Sequence, residues 1–144
     1  MLNINEIKDL VLSMGEKIGL DKGSKLYPMF SKDKYVFSEG VSVYVDDEAY
    51  HFVAMERGKV VVQHDSTDVN DILYYVFEGI TSTLASKYEV KHRKEDEDCR
   101  RGWWKEQLRL LEMINPQFAR ICYQEINQIL KNYPFQDGKE EGLF

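Results

Sequence analysis

The stretch DVNDILYYVFEGITSTLASKYEVKH, Asp68 to His92, decides how the rest of the chain is read. Ile72, Leu73, Val76, Phe77, Ile80 and Leu84 recur at spacings of one, three and four, so they share one face of a 3.6-period helix. Ser66, Thr67 and Asp68 stand just ahead of the first apolar residue, where side-chain oxygens accept unpaired backbone N–H groups. Asp68 and Asp71 suit the positive end of the helix dipole, and Lys87, Lys91, His92 and Arg93 suit the negative end. At about 1.5 Å per residue the helix would span roughly 36 Å. An element that long, with one broad apolar face, needs a sheet or several helices to cover it.

The segment before this helix carries strand chemistry. Val41 to Val45 (VSVYV) alternates, with the valines on one face and Ser42 and Tyr44 on the other. Asp46 and Asp47 make a turn, and Ala49 to Glu56 (AYHFVAME) is a second strand. Arg57-Gly58-Lys59 is a short turn whose glycine can take a positive φ, and Lys59 to His64 (KVVVQH) is the third strand. Strands so closely spaced form an antiparallel meander with one face open to the long helix. Further upstream, Ile4, Ile7, Leu10, Val11, Met14 and Ile18 share a face, predicting a first helix over residues 4 to 20, capped by Asn3 or Asn5. Asp21 to Gly40 reads as a connecting loop, with a short strand at Tyr35 to Phe37.

Downstream of the long helix, Lys91 to Arg101 (KHRKEDEDCRR) is almost wholly charged, and a third helix starts within it and runs to about Ile114. Asn115-Pro116 closes that helix and opens a fourth, which Tyr133-Pro134-Phe135 stops. Residues 136–144 form the tail, of which GKEEGLF, Gly138 to Phe144, is expected to be frayed. The fold class is therefore α+β in a single domain: an N-terminal helix, a small antiparallel β-meander, a long central helix and a C-terminal helical hairpin, packed on one side of the sheet.

Bulk composition narrows the function. With 144 residues, 43% apolar and 31% charged, the chain can bury a core without staples, and disorder is expected only at the ends. No apolar run approaches the ~20 residues of a membrane span, and the first residues lack a signal peptide's pattern, so a cytoplasmic protein is expected. Cys99 and Cys122 form no CxxC and read as structural thiols. A formal charge of −6 argues against a nucleic-acid partner and suits a basic protein partner.

No phosphate-cradling glycine loop, GxSxG elbow or HExxH helix occurs. His51 and His64 lie on adjacent expected strands and His92 ends the long helix; sheet-surface histidines are the plain reading, and no metal site or cofactor is expected. A Cys99–His92 nucleophile and base is not fixed by a seven-residue charged turn. Within the charged run, Arg93, Arg100 and Arg101 are candidates to pair with Glu78 or Glu89 and set how the second helix meets the third. Tyr74-Tyr75 and Trp103-Trp104 are adjacent aromatics, of which only one each can point fully into a core.

Several phrases together carry a resemblance. YHFVAMERGK (Tyr50 to Lys59), DxxDILYYVFEGIT (Asp68 to Thr81), SKYEVKHR (Ser86 to Arg93), the Arg100-Arg101 pair, KEQLRLLEMINP (Lys105 to Pro116) and ILKNYPF (Ile129 to Phe135) resemble a bacterial immunity protein family of polymorphic toxin systems, the one catalogued as immunity protein sixty-three. The likeness spans about Val41 to Phe135. Tyr75 stands where that family often has a tryptophan, and Cys99 where an aromatic often precedes the arginine pair. The resemblance implies an α+β, non-enzymatic inhibitor that binds and neutralises a toxin made by the same cell or its kin.

A toxin of the nuclease class, whose active-site cleft is basic, would be met by acidic side chains that steer association. The candidates are Asp46, Asp47 and Glu48 in the first hairpin turn and Asp65, Asp68 and Asp71 at the start of the long helix. Two other classes compete. One is a small-molecule-binding or regulatory domain with a pocket between sheet and long helix, lined by Tyr74, Tyr75 and Trp103. The other is an enzyme using His51 or His92 with a carboxylate. Nothing in the sequence demands a homo-oligomer.

Overall fold

The computed structural model describes residues 1–34 and 37–140 and shows eight elements: α1 (Ile4–Glu16), β1 (Met29–Ser31), β2 (Gly40–Val45), β3 (Tyr50–Glu56), β4 (Lys59–Ser66), α2 (Val69–Lys91), α3 (Cys99–Ile114) and α4 (Pro116–Asn132). They divide into two compact units, residues 1–77 and 78–144, with the boundary inside α2.

In the first unit, α1 opens with a capping box. Asn3 Oδ1 accepts the Glu6 N–H at 2.9 Å and Glu6 Oε1 accepts the Asn3 N–H at 3.1 Å. The helix stops four residues short of the expected end. Gly19 takes φ +71°, and the Gly15 carbonyl accepts from the Ile18 and Leu20 N–H groups, which turns the chain out of the helix. Gly15 itself is a packing requirement, because a β-carbon there would collide with the Tyr27 hydroxyl.

The sheet order is β1-β2-β3-β4, and β2, β3 and β4 form the expected antiparallel meander. Its second turn is a two-residue loop: Glu56 pairs with Lys59, and Arg57 (φ 51°) and Gly58 (φ 76°) both take the left-handed backbone that matches strand twist. One correction concerns β1, which pairs in parallel with β2 and makes the sheet mixed. It lies within the segment read as a loop, because three residues after Pro28 are too few for a period of two to show. The short strand expected at Tyr35 to Phe37 falls on Tyr35 and Val36, which lie outside the described residues.

A second correction concerns exposure. The alternation predicted one covered face, yet Ser42, Val43 and Tyr44 of β2 are all buried, as are Tyr50, His51, Phe52 and Val53 of β3. On the first face the Tyr75 ring of α2 stacks on His64 at 3.6 Å between centroids and lies 6.0 Å from Phe52. On the other face Tyr44, Val53 and Met55 form a cluster. β4 is the edge strand and stays exposed over Lys59 to Gln63.

In the second unit α3 and α4 form the expected helical hairpin. Asn115 serves both helices: its N–H closes α3 on the Leu111 carbonyl at 2.8 Å, and its Oδ1 caps α4 by accepting the Gln117 N–H at 2.9 Å. Pro116 fills the first helical position, where a missing N–H costs nothing. The latter half of α2 is tied to α3 by polar bonds. Trp103 Nε1 donates to the Ser82 carbonyl at 3.1 Å, and Gln107 Nε2 donates to the Glu78 carbonyl at 3.1 Å.

The segment after α4 is not frayed as far as Glu140. Asp98 Oδ2 accepts the Gln136 N–H, and Asp137 Oδ2 accepts the Asp98 N–H. Arg100 donates to the Tyr133 and Pro134 carbonyls, at 2.7 and 2.9 Å. A terminus orders when side chains tie it down, and here a residue pair far away in sequence does so. Residues 141–144 lie outside the description. Among the described residues no helix is long and apolar enough to cross a membrane.

Candidate partner-binding surface

The antiparallel register sets Val45 opposite Tyr50 and Tyr50 opposite Ser66, so the β2–β3 turn and the β4–α2 junction emerge at the same end of the sheet. The two acidic clusters, separate in sequence, therefore share one tip. His51 joins them. Its Nδ1 lies 2.6 Å from Asp65 Oδ1 and its Nε2 lies 2.8 Å from Asp46 Oδ2, while its ring stacks on Tyr44 at 4.3 Å. An ionised carboxylate only accepts, so both bonds are satisfied together when both ring nitrogens carry protons and the imidazole is cationic. The ring is 9% exposed, which contradicts the reading of a sheet-surface histidine. The strand pattern legible in the sequence stops at His64, one residue before Asp65, which lies opposite His51 on β4.

The six acidic side chains do different work. Asp46 Oδ1 accepts the Glu48 and Ala49 N–H groups, both at 2.9 Å, and these bonds, with His51, hold its carboxyl below the usual carboxylate range. Asp65 is also held low, chiefly by His51 and then by Gln63. Asp68 accepts the Asn70 N–H at 2.9 Å and caps α2, and Asp71 accepts the Ser66 hydroxyl at 2.7 Å. Asp47 and Glu48 are exposed, and no side-chain bond occupies either carboxylate among the described residues. The turn is thus built by Asp46, and its two neighbours face outward.

The charge pairs differ from the expectation. Arg93 does grip Glu89, with Nη2 at 2.7 Å from Oε1, but this pair is four residues apart and closes the end of α2 rather than setting an angle between helices. Arg100 turns to Asp98 at 2.9 Å and Arg101 to Asp137 at 2.7 Å. Asp98 is lowered to about 2 by the Arg100 guanidinium, and Asp137 is held lower still by Arg101. The Arg101 guanidinium also lies 4.0 Å over the Phe135 ring. Both arginines therefore stitch the start of α3 to the segment after α4. Glu78 forms no salt bridge among the described residues; burial first, and then the charge of Glu125, raises its carboxyl pKa.

Tyr74 is buried, Tyr75 stacks on His64, and Trp103 spends its indole N–H on α2. A groove of about 1130 Å³ lies elsewhere, within the second unit, along α3. The described residues hold no cluster of three metal-ligating side chains. His92 Nδ1 donates to the Tyr88 carbonyl at 2.9 Å, and Cys99 is exposed while Cys122 is buried.

A family model described as Immunity protein 63 matches residues 46–128. The match begins at Asp46 in the acidic turn and ends at Gln128 in α4, so it takes in the whole acidic tip and most of the helical unit. No curated protein and no solved structure matches the chain.

Proposed function

Because the chain belongs to the Immunity protein 63 family, we propose that it confers immunity by binding a basic bacterial toxin domain, of nuclease type, through the acidic tip of its sheet. The observation that carries this reading is the convergence of Asp46, Asp47 and Glu48 with Asp65, Asp68 and Asp71 at one end of β2, β3 and β4. His51 binds both loops, so the tip is held in shape before a partner arrives. A surface already ordered loses less entropy on association. A concentrated field of one sign also raises the rate of encounter with a cationic cleft.

The occupied and open carboxylates divide the labour. Asp46, Asp65, Asp68 and Asp71 shape the tip through their hydrogen bonds, and Asp47 and Glu48 supply charge that no ion pair among the described residues neutralises. The mechanism is occlusion: an acidic surface seated in the toxin's cleft excludes a polyanionic substrate by charge and by bulk. The test is co-expression with the toxin domain encoded beside the gene, scored by survival and by pull-down. Asp47→Asn combined with Glu48→Gln should weaken capture by roughly tenfold or more, since one lost desolvated charge contact is worth about 1.4 kcal/mol. Full capture by that variant, and by one in which Asp65, Asp68 and Asp71 are also neutralised, would end the proposal.

A further inference from the structure

The molecule is acidic, yet the groove along α3 is not. Along the second unit, Gly102, Lys105, Leu108, Arg109 and Glu112 of α3 form a floor over three helical turns, about 15 Å long. Tyr88 and His92, stacked at 4.1 Å, stand on one side, and Ala119, Arg120 and Tyr123 of α4 on the other. Lys94, Arg101, Lys105, Arg109, Arg120 and Lys139 bring six positive charges to the lining, against four from Glu89, Glu97, Glu106 and Glu112.

What decides the sign is how those charges are already spent. Glu89 is held by Arg93 at 2.7 Å, Glu106 by Arg109 at 2.6 Å, and Glu97 lies 3.6 Å from Lys139. Three of the four groove carboxylates are thereby neutralised, with Arg109 and Lys139 spent on them and Arg101 spent on Asp137, which leaves Lys94, Lys105 and Arg120 against Glu112. Lys105 has no ion-pair partner among the described residues, and Arg120 donates to the uncharged Gln117 Oε1 at 3.1 Å. The charge left facing the groove is positive on a chain whose net charge is −6. The middle of the trough is apolar: Leu108 and Ala119 lie in its bed, and Tyr88 and Tyr123 are 44% and 41% exposed on its sides. Gly102 lets the Glu89 side chain pack close, with its Cγ 3.3 Å from where a β-carbon would stand.

We infer that this groove is a docking site for an acidic amphipathic helix of a partner polypeptide. A trough between helices, with an apolar bed and a cationic rim, takes a helix whose apolar residues recur at three and four and whose outer flank carries carboxylates. A polynucleotide is disfavoured, because its phosphates would meet the cations but leave the apolar bed of Leu108 and Ala119 unmatched. The site lies outside the acidic tip and makes the opposite electrostatic demand.

The test uses the full chain and a display library of random peptides of about fifteen residues, long enough for four helical turns. Selection runs in parallel on the unaltered protein and on Lys105→Glu combined with Arg120→Glu, both exposed positions. The expected result is enrichment, on the unaltered protein alone, of sequences with Asp or Glu on one flank and Leu, Phe or Met at helical spacing. A fluorescein-labelled enriched peptide should bind the charge-reversed protein at least about tenfold more weakly. It should bind Asp47→Asn combined with Glu48→Gln unchanged, so failure here and failure of the acidic tip are read separately. If the double reversal lowers the melting temperature, Lys105→Gln alone serves, with a smaller loss expected. No enrichment, enrichment of basic peptides, equal binding to the reversed groove, or preference for a labelled single-stranded oligonucleotide would each overturn the inference.

Discussion

His51 shows how much one side chain can organise. Its two ring nitrogens each meet a carboxylate, its face meets Tyr44, and it holds together a turn and a strand end that lie five and fourteen residues away. Replacing it with alanine removes the ring that bridges Asp46 and Asp65. His51→Ala is therefore expected to cost about 2 kcal/mol, the scale of two charge-assisted hydrogen bonds and a ring contact, read by urea titration. His51→Gln, which can serve only one carboxylate well, should fall between the two. An unchanged midpoint for His51→Ala would remove the organising role. The constellation was partly legible: the strands carrying His51 and the flanking carboxylates were recognised, and a third strand extended to Ser66 would have placed Asp65 across from His51. What the sequence could not supply was the register, since one residue of slip sends a side chain to the other face.

At the level of elements, α3 rests on Asp98. One oxygen caps the helix through the Arg100 N–H at 3.0 Å, and the carboxylate also pairs with the Arg100 guanidinium and accepts the Gln136 N–H. Its folded pKa of about 2 lies below its value in the unfolded chain, so the folded state binds this proton less readily. That contribution is fully present above about pH 4 and is lost as pH falls toward about 2. Acid unfolding followed by helical circular dichroism should show the loss in this window, and Asp98→Ala should flatten it while lowering stability at neutral pH by about 1 kcal/mol for the cap alone. Asp98→Asn separates the parts, because asparagine caps as well but cannot pair with Arg100 as an ion. Glu78 works the other way. Burial and Glu125 raise its pKa, so its charge opposes folding at neutral pH and protonation relieves it. Glu78→Gln should therefore raise the melting temperature at pH 7, with the gain shrinking toward pH 4; a loss at pH 7 would reverse this reading. The four helices and the meander were legible because their periods run for many residues. β1 was not, because three residues carry no period, and the Arg100-Arg101 pair could be seen only as a charged doublet.

For the molecule as a whole, the acidic tip predicts a characteristic salt response. If the acidic tip steers a basic toxin, the association rate should fall severalfold between about 0.05 M and about 0.5 M salt, while dissociation changes much less. Stopped-flow mixing with the toxin domain checks this, and a salt-independent association rate would argue that charge plays no part in encounter. The primary structure by itself determined the order of the four helices and the three-strand meander, the break at Asn115-Pro116, the turn at Arg57-Gly58 and the family, because each rests on local spacing or on short phrases. Only the tertiary structure decided which charges meet. Asp46 with Asp65, Arg101 with Asp137, and the unspent cations of the α3 groove all depend on how separate segments are brought side by side. The reason is physical: hydrogen-bonded periodicity is written within a few residues, whereas a Coulomb contact depends on distance in space, which strand register and helix packing set.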